Sequence, residues 1–353
     1  MSFKPTWIFL FFFLCAFQAF AQKNSKATLS GYIRDASSGE ALLGATVIVK
    51  NTTTGAVANN FGFYSLTLDK GTYVIECKYI GFNTQIDTIK LQSDISRNFE
   101  LGTTVITTAE YTVTDDLSKQ NTESTRMSTI ELKMEEVRKM PVIFGEVDVL
   151  KTIQLLPGVA GAAEGTSGFY VRGGGPDQNL ILLDNATVYN ASHLFGFFSV
   201  FNSDAIRNVE LIKGGMPARY GGRLSSVLDI SMKEGNMREW HGQGGIGLIA
   251  SRMSVEGPIV KDKLSVLASA RRTYIDVLLM PFSGEGSDLE GNSYFFYDLN
   301  AKLQWKIGEK DRLYLSGYYG EDVFAFQSPS GDLGIDIPWG NGIASLRWNH
   351  QFS

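Results

Sequence analysis

The chain has 353 residues, a formal net charge of −5, 44% hydrophobic and 12% aromatic residues, and 37 Gly against 9 Pro. The acidic balance leaves no basic face to neutralise phosphates, which excludes nucleic acid as a partner, and the lack of a repeat period excludes a solenoid. The length exceeds one domain's worth, and abundant glycine and aromatics suit turn-rich β structure.

Residues 1–21 read as an export signal: Lys4 gives the positive start, Trp7 to Phe20 the apolar core, and Ala19-Phe20-Ala21 the cleavage site. The core is shorter than the roughly 20 residues of a spanning helix. Cys15 leaves with it, so Cys77 has no intramolecular partner and reads as a buried apolar residue.

Residues 27–102 alternate short strands with glycine turns: Gly31 to Arg34, Ala45 to Val49, Gly62 to Leu66, Gly71 to Ile75 and Gln85 to Ile89. Such spacing makes a small antiparallel sandwich. The run Gly62-Phe63-Tyr64, Gly71-Thr72-Tyr73, Gly81-Phe82 resembles the carboxypeptidase regulatory-like domain, a transthyretin-like sandwich. No histidine precedes His193, so neither a zinc site nor a His-based triad fits here. Residues 103–127, rich in Thr, Ser and Asp, read as a linker with one β-prone island, Ala109 to Thr114.

Residues 128–234 follow. Apolar residues at Met127, Ile130, Met134 and Val137 predict a helix ending before Pro141, and Glu146 to Leu156 a second, stopped by Pro157-Gly158. Strands are expected at 168–172, 180–184, 207–213 and 225–231, forming a small mixed sheet packed on those helices. Glycine loops lie around 173–175 and 214–222. Three motifs stand out: Val171-Arg172-Gly173; a strand ending in Asp184; and Val209-Glu210-Leu211-Ile212-Lys213-Gly214 followed by Arg219, Tyr220 and Gly221.

In this order and spacing the motifs resemble the plug domain of the TonB-dependent outer-membrane receptors, in which a regulatory-like domain often precedes the plug. The resemblance implies that the glycine loops face a barrel wall. It also implies a linker segment that adds as a strand to a TonB-type energising protein in the periplasm. Tyr111, Thr112, Val113 and Thr114 are the candidate for that box; an ordinary linker fits them equally, and both readings stay open. Plug arginines of the family pair with barrel carboxylates, because a desolvated guanidinium needs a partner. Arg172 is expected to make such a lock; for Arg219 a lock and a solvated arginine beside a turn stay open.

From 241 to 353 the period becomes two. Phe295, Tyr297, Leu299, Ala301, Leu303, Trp305 and Ile307 share one face; Phe296, Asp298, Asn300, Lys302, Gln304 and Lys306 share the other. That is a lipid side and a wet lumenal side, with short turns at 257–262 and 308–311 and long connections at 275–292 and 322–341. At about 10 residues per tilted strand this segment holds about five strands, against about 22 in a plugged transporter. The expectation is therefore the N-terminal portion of a longer receptor, since an open sheet cannot stand in lipid.

No chemistry of another kind emerges. Gly242 to Gly247 matches G-x-G-x-x-G by letter but leads into an extended run, and Gly214 to Gly222 lacks the Lys-Ser/Thr of a P-loop. His193, His241 and His350 lack metal-ligand spacing. No catalytic residue, metal or cofactor is expected. The fold class is mainly β: a transthyretin-like sandwich, an α+β plug, then the first strands of a transmembrane barrel. The resemblance implies energy-coupled uptake of a scarce nutrient (siderophore, cobalamin, glycan or peptide) at the outer membrane. Its partners would be the energising protein, membrane lipid and, in some such receptors, a surface lipoprotein. Rival readings are an exported sandwich for binding or adhesion without transport, and an accessory domain of an exported peptidase.

Overall fold

The computed structural model describes residues 26–103, 128–138, 146–163, 166–284, 287, 289–328 and 332–352. The predicted signal segment and Tyr111 to Thr114 lie outside them. Two compact units are present, the first holding residues 26–36 and 41–103.

In the first unit eight strands form two sheets. They are β1 (Lys26–Asp35), β2 (Thr46–Val49), β3 (Gly55–Val57), β4 (Phe63–Asp69), β5 (Gly71–Lys78), β6 (Gln85–Leu91), β7 (Ile95–Ser96) and β8 (Phe99–Leu101). One sheet has β1 beside β4, β7 and β8; the other runs β3-β2-β5-β6. Alternating side chains meet between them, with Ile33, Val47, Ile75, Cys77, Leu91 and Phe99 buried. Gly31 is required where β1 passes the Arg97 backbone, because a Cβ there would strike the Arg97 carbonyl. Tyr64 closes the same corner by donating its hydroxyl to that carbonyl over 2.7 Å.

The second unit opens on a mixed sheet of order β13-β12-β15-β14-β9. Its strands are β9 (Thr129–Lys133), β12 (Asn179–Leu183), β13 (Ala186–Thr187), β14 (Ile206–Ile212) and β15 (Ser226–Met232), while β10 (Val159–Gly161) and β11 (Phe169–Val171) pair separately. Helices α1 (Met134–Val137) and α2 (Val149–Gln154) add Val137, Val149, Leu150 and Ile153 to the core built on Val209, Leu211, Leu228 and Ile230. The four predicted strands fall within a residue or two of their expected bounds, but β11 pairs with β10 and lies outside the mixed sheet expected to hold all four. The helix predicted from Met127 does not form as such: Thr129–Lys133 pairs antiparallel with β14, and among the described residues of that stretch the helix is confined to Met134–Val137. Met127, Ile130, Met134 and Val137 repeat every three or four residues while Ile130, Leu132 and Met134 alternate, and the open edge of β14 decides between the two periods.

A six-stranded antiparallel meander completes the unit. It comprises β16 (His241–Ile246), β17 (Ala250–Val260), β18 (Leu264–Thr273), β19 (Ser293–Lys306), β20 (Asp311–Gln327) and β21 (Gly334–His350), with α3 (Ile275–Leu279) between β18 and β19. The sixth strand is β16, the glycine-rich Gly242 run, extended and antiparallel to β17. The connection expected over 322–341 is mostly strand, because β20 and β21 pair from Asp311 to Gln327. Each has 17 residues, near 58 Å at about 3.4 Å per residue and far beyond the 9–11 a bilayer core needs.

Burial along β19 is the inverse of that in a water-soluble sheet. Asp298, Asn300, Lys302 and Gln304 are at most 6% exposed, whereas Leu299 and Trp305 are 47% and 48% exposed. Leu315, Leu346 and Trp348 continue the exposed apolar face. The polar face is dry because the plug sheet and its loops cover it.

Candidate functional site

The site is the seam where one face of the plug meets the inner face of β17–β21. Three parts of the plug supply it: Glu146, residues 184–205, and residues 232–234 at the end of β15. Asp184 begins the β12–β13 hairpin, where it and Asn185 adopt φ of 47° and 69°. Two left-handed positions in succession suit Asp-Asn, whose short polar side chains tolerate that region. The turn holds the Asp184 carboxylate beneath Met232, whose N–H donates to Oδ1 over 3.1 Å. Lys302 of β19 enters from the opposite side, its Nζ 2.8 Å from Asp184 Oδ2 and 3.0 Å from the Met232 carbonyl it donates to. Both side chains are almost fully buried. Ser345 of β21 donates to the Asp184 carbonyl over 2.8 Å.

A second cluster lies around His193, which is 3% exposed. Its Nδ1 is 3.0 Å from Asp322 Oδ2 on β20, its Nε2 3.2 Å from Asp298 Oδ1 on β19. The ring stacks on Phe296 at 3.6 Å between centroids. Asp322 Oδ1 accepts from the Leu194 N–H and from the Tyr294 hydroxyl; Asp298 Oδ1 accepts from the Tyr318 hydroxyl. Arg271 of β18 lies across Asp298, with Nη2 2.6 Å from Oδ2, and donates to the Ser199 carbonyl of the plug over 2.7 Å. Its Nη1 is 4.0 Å from Glu146 of the plug. Arg252 of β17 adds ion pairs to Asp204 at 2.9 Å and Glu146 at 3.5 Å.

Burial alone would pull the His193 pKa down. The Asp298 and Asp322 carboxylates outweigh it against some opposition from Arg271, so the net shift is upward. Arg271 Nη2 is also 3.3 Å from His193 Nε2. A neutral imidazole can accept there, whereas a protonated one must donate to Asp298, so both forms have a partner. Burial also raises the Glu146 carboxyl, partly countered by Arg271 and Arg252.

Asp148 sets the loop that carries this cluster. Its Oδ1 caps α2 by accepting from Leu150 and Lys151 N–H, and its Oδ2 accepts the Ser199 N–H over 2.7 Å. One carboxylate thus ties the helix start to the segment that reaches Arg271.

The remaining motif residues lie elsewhere. Arg172, expected to pair with a barrel carboxylate, is exposed and donates to Ser128 Oγ at 3.1 Å. Arg219 lies over the Tyr220 ring at 4.6 Å and donates to its hydroxyl, which in turn donates to Asp229 Oδ2. Among the described residues neither guanidinium is paired with a carboxylate of the β16–β21 sheet. In the Lys and Arg ion pairs of the seam the sheet brings Arg252, Arg271 and Lys302 and the plug brings Glu146, Asp184 and Asp204, while at His193 the sheet brings Asp298 and Asp322. Gly173 has φ of 86°, and a Cβ on Gly214 would meet the Arg172 guanidinium, so these two glycines close one turn region inside the plug. Gly221 borders a shallow cleft with Arg219 and Tyr220. Glu210 is buried mid-sheet, opposite Asp229 and Glu131. The hydrogen bonds of the 173–175 and 214–222 loops given above stay within the plug. Among the described residues, Glu146, residues 184–205 and residues 232–234 of the plug meet strands β17–β21.

Three families of comparison bear on this arrangement. Residues 29–113 match the family described as CarboxypepD_reg-like domain, and residues 121–226 the TonB-dependent Receptor Plug Domain. The ferrienterobactin receptor of Escherichia coli (strain K12) is 31% identical over 256 residues, covering 67% of this chain. The chain spans about a third (31%) of that relative's length. Among solved structures, a ferric enterobactin receptor from Pseudomonas aeruginosa superposes with a TM-score of 0.46 at 19% identity, over 64% of this chain and 39% of that one. The outer membrane transporter YddB from Escherichia coli gives 0.46 at 15% identity, over 64% and 37%. With a regulatory-like sandwich, a matching plug and a sheet whose polar face closes on that plug, the chain belongs to the TonB-dependent receptors, of which it holds the N-terminal portion.

Proposed function

We propose that the chain forms the gated entrance of an outer-membrane importer for a scarce nutrient, drawn through by a TonB-type protein. The observation that carries this is the inverted sheet: apolar side chains outward, charged side chains inward and paired with the plug. Lipid outside and a plugged lumen inside account for both faces. The unpaired edges of β16 and β21 would be untenable in hydrocarbon, so further strands would pair with them to close the wall. Residues 1–21 would direct export, and Tyr111 to Thr114 would offer the strand that the energising protein engages.

In this reading the ion pairs at Asp184, Glu146 and Asp204, with His193, hold the plug until traction on the linker breaks them. The ligand would dock at the pole of the long connections. Deleting the gene is expected to abolish energy-dependent accumulation of one nutrient and impair growth when that nutrient limits. Uptake that persists unchanged in cells lacking the energising protein would refute the proposal.

A further inference from the structure

The outward face of β19 is apolar from Trp305 to Leu299 and then reaches Tyr297 and Phe295. At about 3.4 Å per residue and a tilt of about 40°, Trp305 and Phe295 stand about 26 Å apart along the membrane normal, close to the height of a barrel's apolar band. The upper margin of that band holds charge, but the charge is closed on itself. Tyr297 lies between Arg272 of β18 and Glu321 of β20. Glu321 Oε2 accepts from the Tyr297 and Tyr319 hydroxyls over 2.7 and 2.8 Å. Arg272 lies over the Phe295 ring at 4.3 Å and pairs with Asp276 at 2.7 Å. One further outward row, Phe295, Val323 and Pro338, is again apolar.

The connection that leaves β18 at this height opens with the run Ile275-Asp276-Val277-Leu278-Leu279-Met280-Pro281-Phe282, in which a 3-10 turn over Met280–Phe282 follows α3. Tyr274 fixes its start by donating its N–H to the Ile249 carbonyl over 2.9 Å. Arg271 points inward to Asp298, so its neighbour Arg272 points outward, and the Arg272–Asp276 pair holds the first turn of α3 on the outer side of the wall. There α3 packs against β19. Val277 and Leu278 are exposed, and Met280 and Phe282 are 68% and 66% exposed. Adjacent bulky apolar side chains turned outward in this way mark an interaction surface.

Continuity and charge select what covers it. The patch adjoins the exposed apolar face of β19 below it, and the single charged residue of 275–282, Asp276, is already neutralised by Arg272. A protein partner would find no charge there to set its register, whereas hydrocarbon needs none.

We propose that residues 275–282 are an interfacial anchor lying in the outer leaflet, at the pole of the long connections. Val277, Leu278, Met280 and Phe282 enter the acyl boundary about 5–10 Å below the headgroups. The Arg272–Asp276 pair and the hydroxyls of Tyr297 and Tyr319 stay at headgroup level. The anchor fixes the height of the β18–β19 hairpin in the bilayer. This rests on the reading of the sheet as a wall in lipid, so the experiment carries a separate control for that reading.

The test uses the receptor reconstituted in phospholipid vesicles, with a nitroxide spin label on one introduced cysteine at a time: Leu278→Cys, Met280→Cys, Phe282→Cys, and Leu299→Cys as the control in mid-band. Cys77 is buried, and the parental receptor treated alike supplies the background. Power-saturation spectra compare collisions with oxygen, which concentrates in hydrocarbon, and with a water-soluble nickel chelate. The Leu299 label is expected near the bilayer centre and the other three about 5–10 Å below the headgroups. Labels at all three anchor positions that meet the chelate freely, while Leu299 stays deep, would overturn the inference and leave the wall standing. Labels shielded from both reagents would overturn it in favour of a protein covering the segment. A Leu299 label in water would overturn the wall, and the anchor with it.

Discussion

Lys302→Met removes one ammonium from the seam while keeping an unbranched side chain of similar length. The pair it breaks is 2.8 Å long, between side chains 2% and 4% exposed. At an effective dielectric of about 20, unit charges at that separation attract by about 6 kcal/mol. Desolvating the two ions costs a comparable amount, so the intact pair adds little net stability. Removing one partner is different. Asp184 stays buried with its contacting counter-charge gone and only the more distant Arg207 acting on it, and the expected loss is about 3–5 kcal/mol. In the double variant Lys302→Met/Asp184→Asn both charges are gone, and the new amide oxygen can still accept from Met232 N–H. Most of the loss is expected to return, leaving a residue of about 1.5 kcal/mol or less. A protein of several units has no single unfolding free energy, so the readout is local: hydrogen exchange at the Asp184 amide, which donates to the Ile230 carbonyl. The single variant is expected to exchange about two to three orders of magnitude faster. Exchange within about threefold of the parent, or a double variant as fast as the single, would refute the reasoning.

Three further outcomes follow from the same geometry. The raised His193 pKa means its contribution is complete below the ordinary imidazole value near 6.5 and is lost as pH rises through the higher folded value. Melting temperature is therefore expected to fall with pH above neutrality, and His193→Gln to flatten that slope; an unchanged slope would count against the cluster. Asp148→Ala leaves the Leu150, Lys151 and Ser199 amides without their acceptor, at a cost of about 2–4 kcal/mol; a melting temperature equal to the parent's would show that the tie is dispensable. In the sandwich, burial pushes the Cys77 thiol up to about 12. It is expected to resist a thiol reagent at neutral pH until the protein is denatured; rapid labelling of the folded chain would contradict its burial.

The plug strands were legible because each combines an apolar run with a terminating turn residue, as Leu180 to Asp184 does. The β19 ladder was legible for the same reason: seven consecutive alternations fit only a two-faced strand. The stretch from Met127 carries two periods, Met127-Ile130-Met134-Val137 for a helix and Ile130-Leu132-Met134 for a strand, and the β14 edge chooses the strand. The seam was largely hidden. His193 lies 105 residues from Asp298 and 129 from Asp322, so no local spacing announces it. The one available signal was Asp298, Asn300, Lys302 and Gln304 repeating on one face, since buried charges of that kind require partners. Among the described residues Arg172 makes no lock with β16–β21; the Lys and Arg ion pairs seen there join Arg252, Arg271 and Lys302 of the sheet to carboxylates of the plug.

The inverted sheet can be tested with its own tryptophans. Trp305 and Trp348 face outward on β19 and β21, 48% and 65% exposed, whereas Trp339 points inward, its indole N–H donating to the Ser192 carbonyl. Single-tryptophan variants in vesicles of brominated phospholipid are expected to show strong quenching of Trp305 and Trp348 and little of Trp339. Equal quenching of all three, or emission from Trp305 and Trp348 that bromine leaves untouched while a water-soluble quencher reaches it, would contradict a wall set in lipid around a plug.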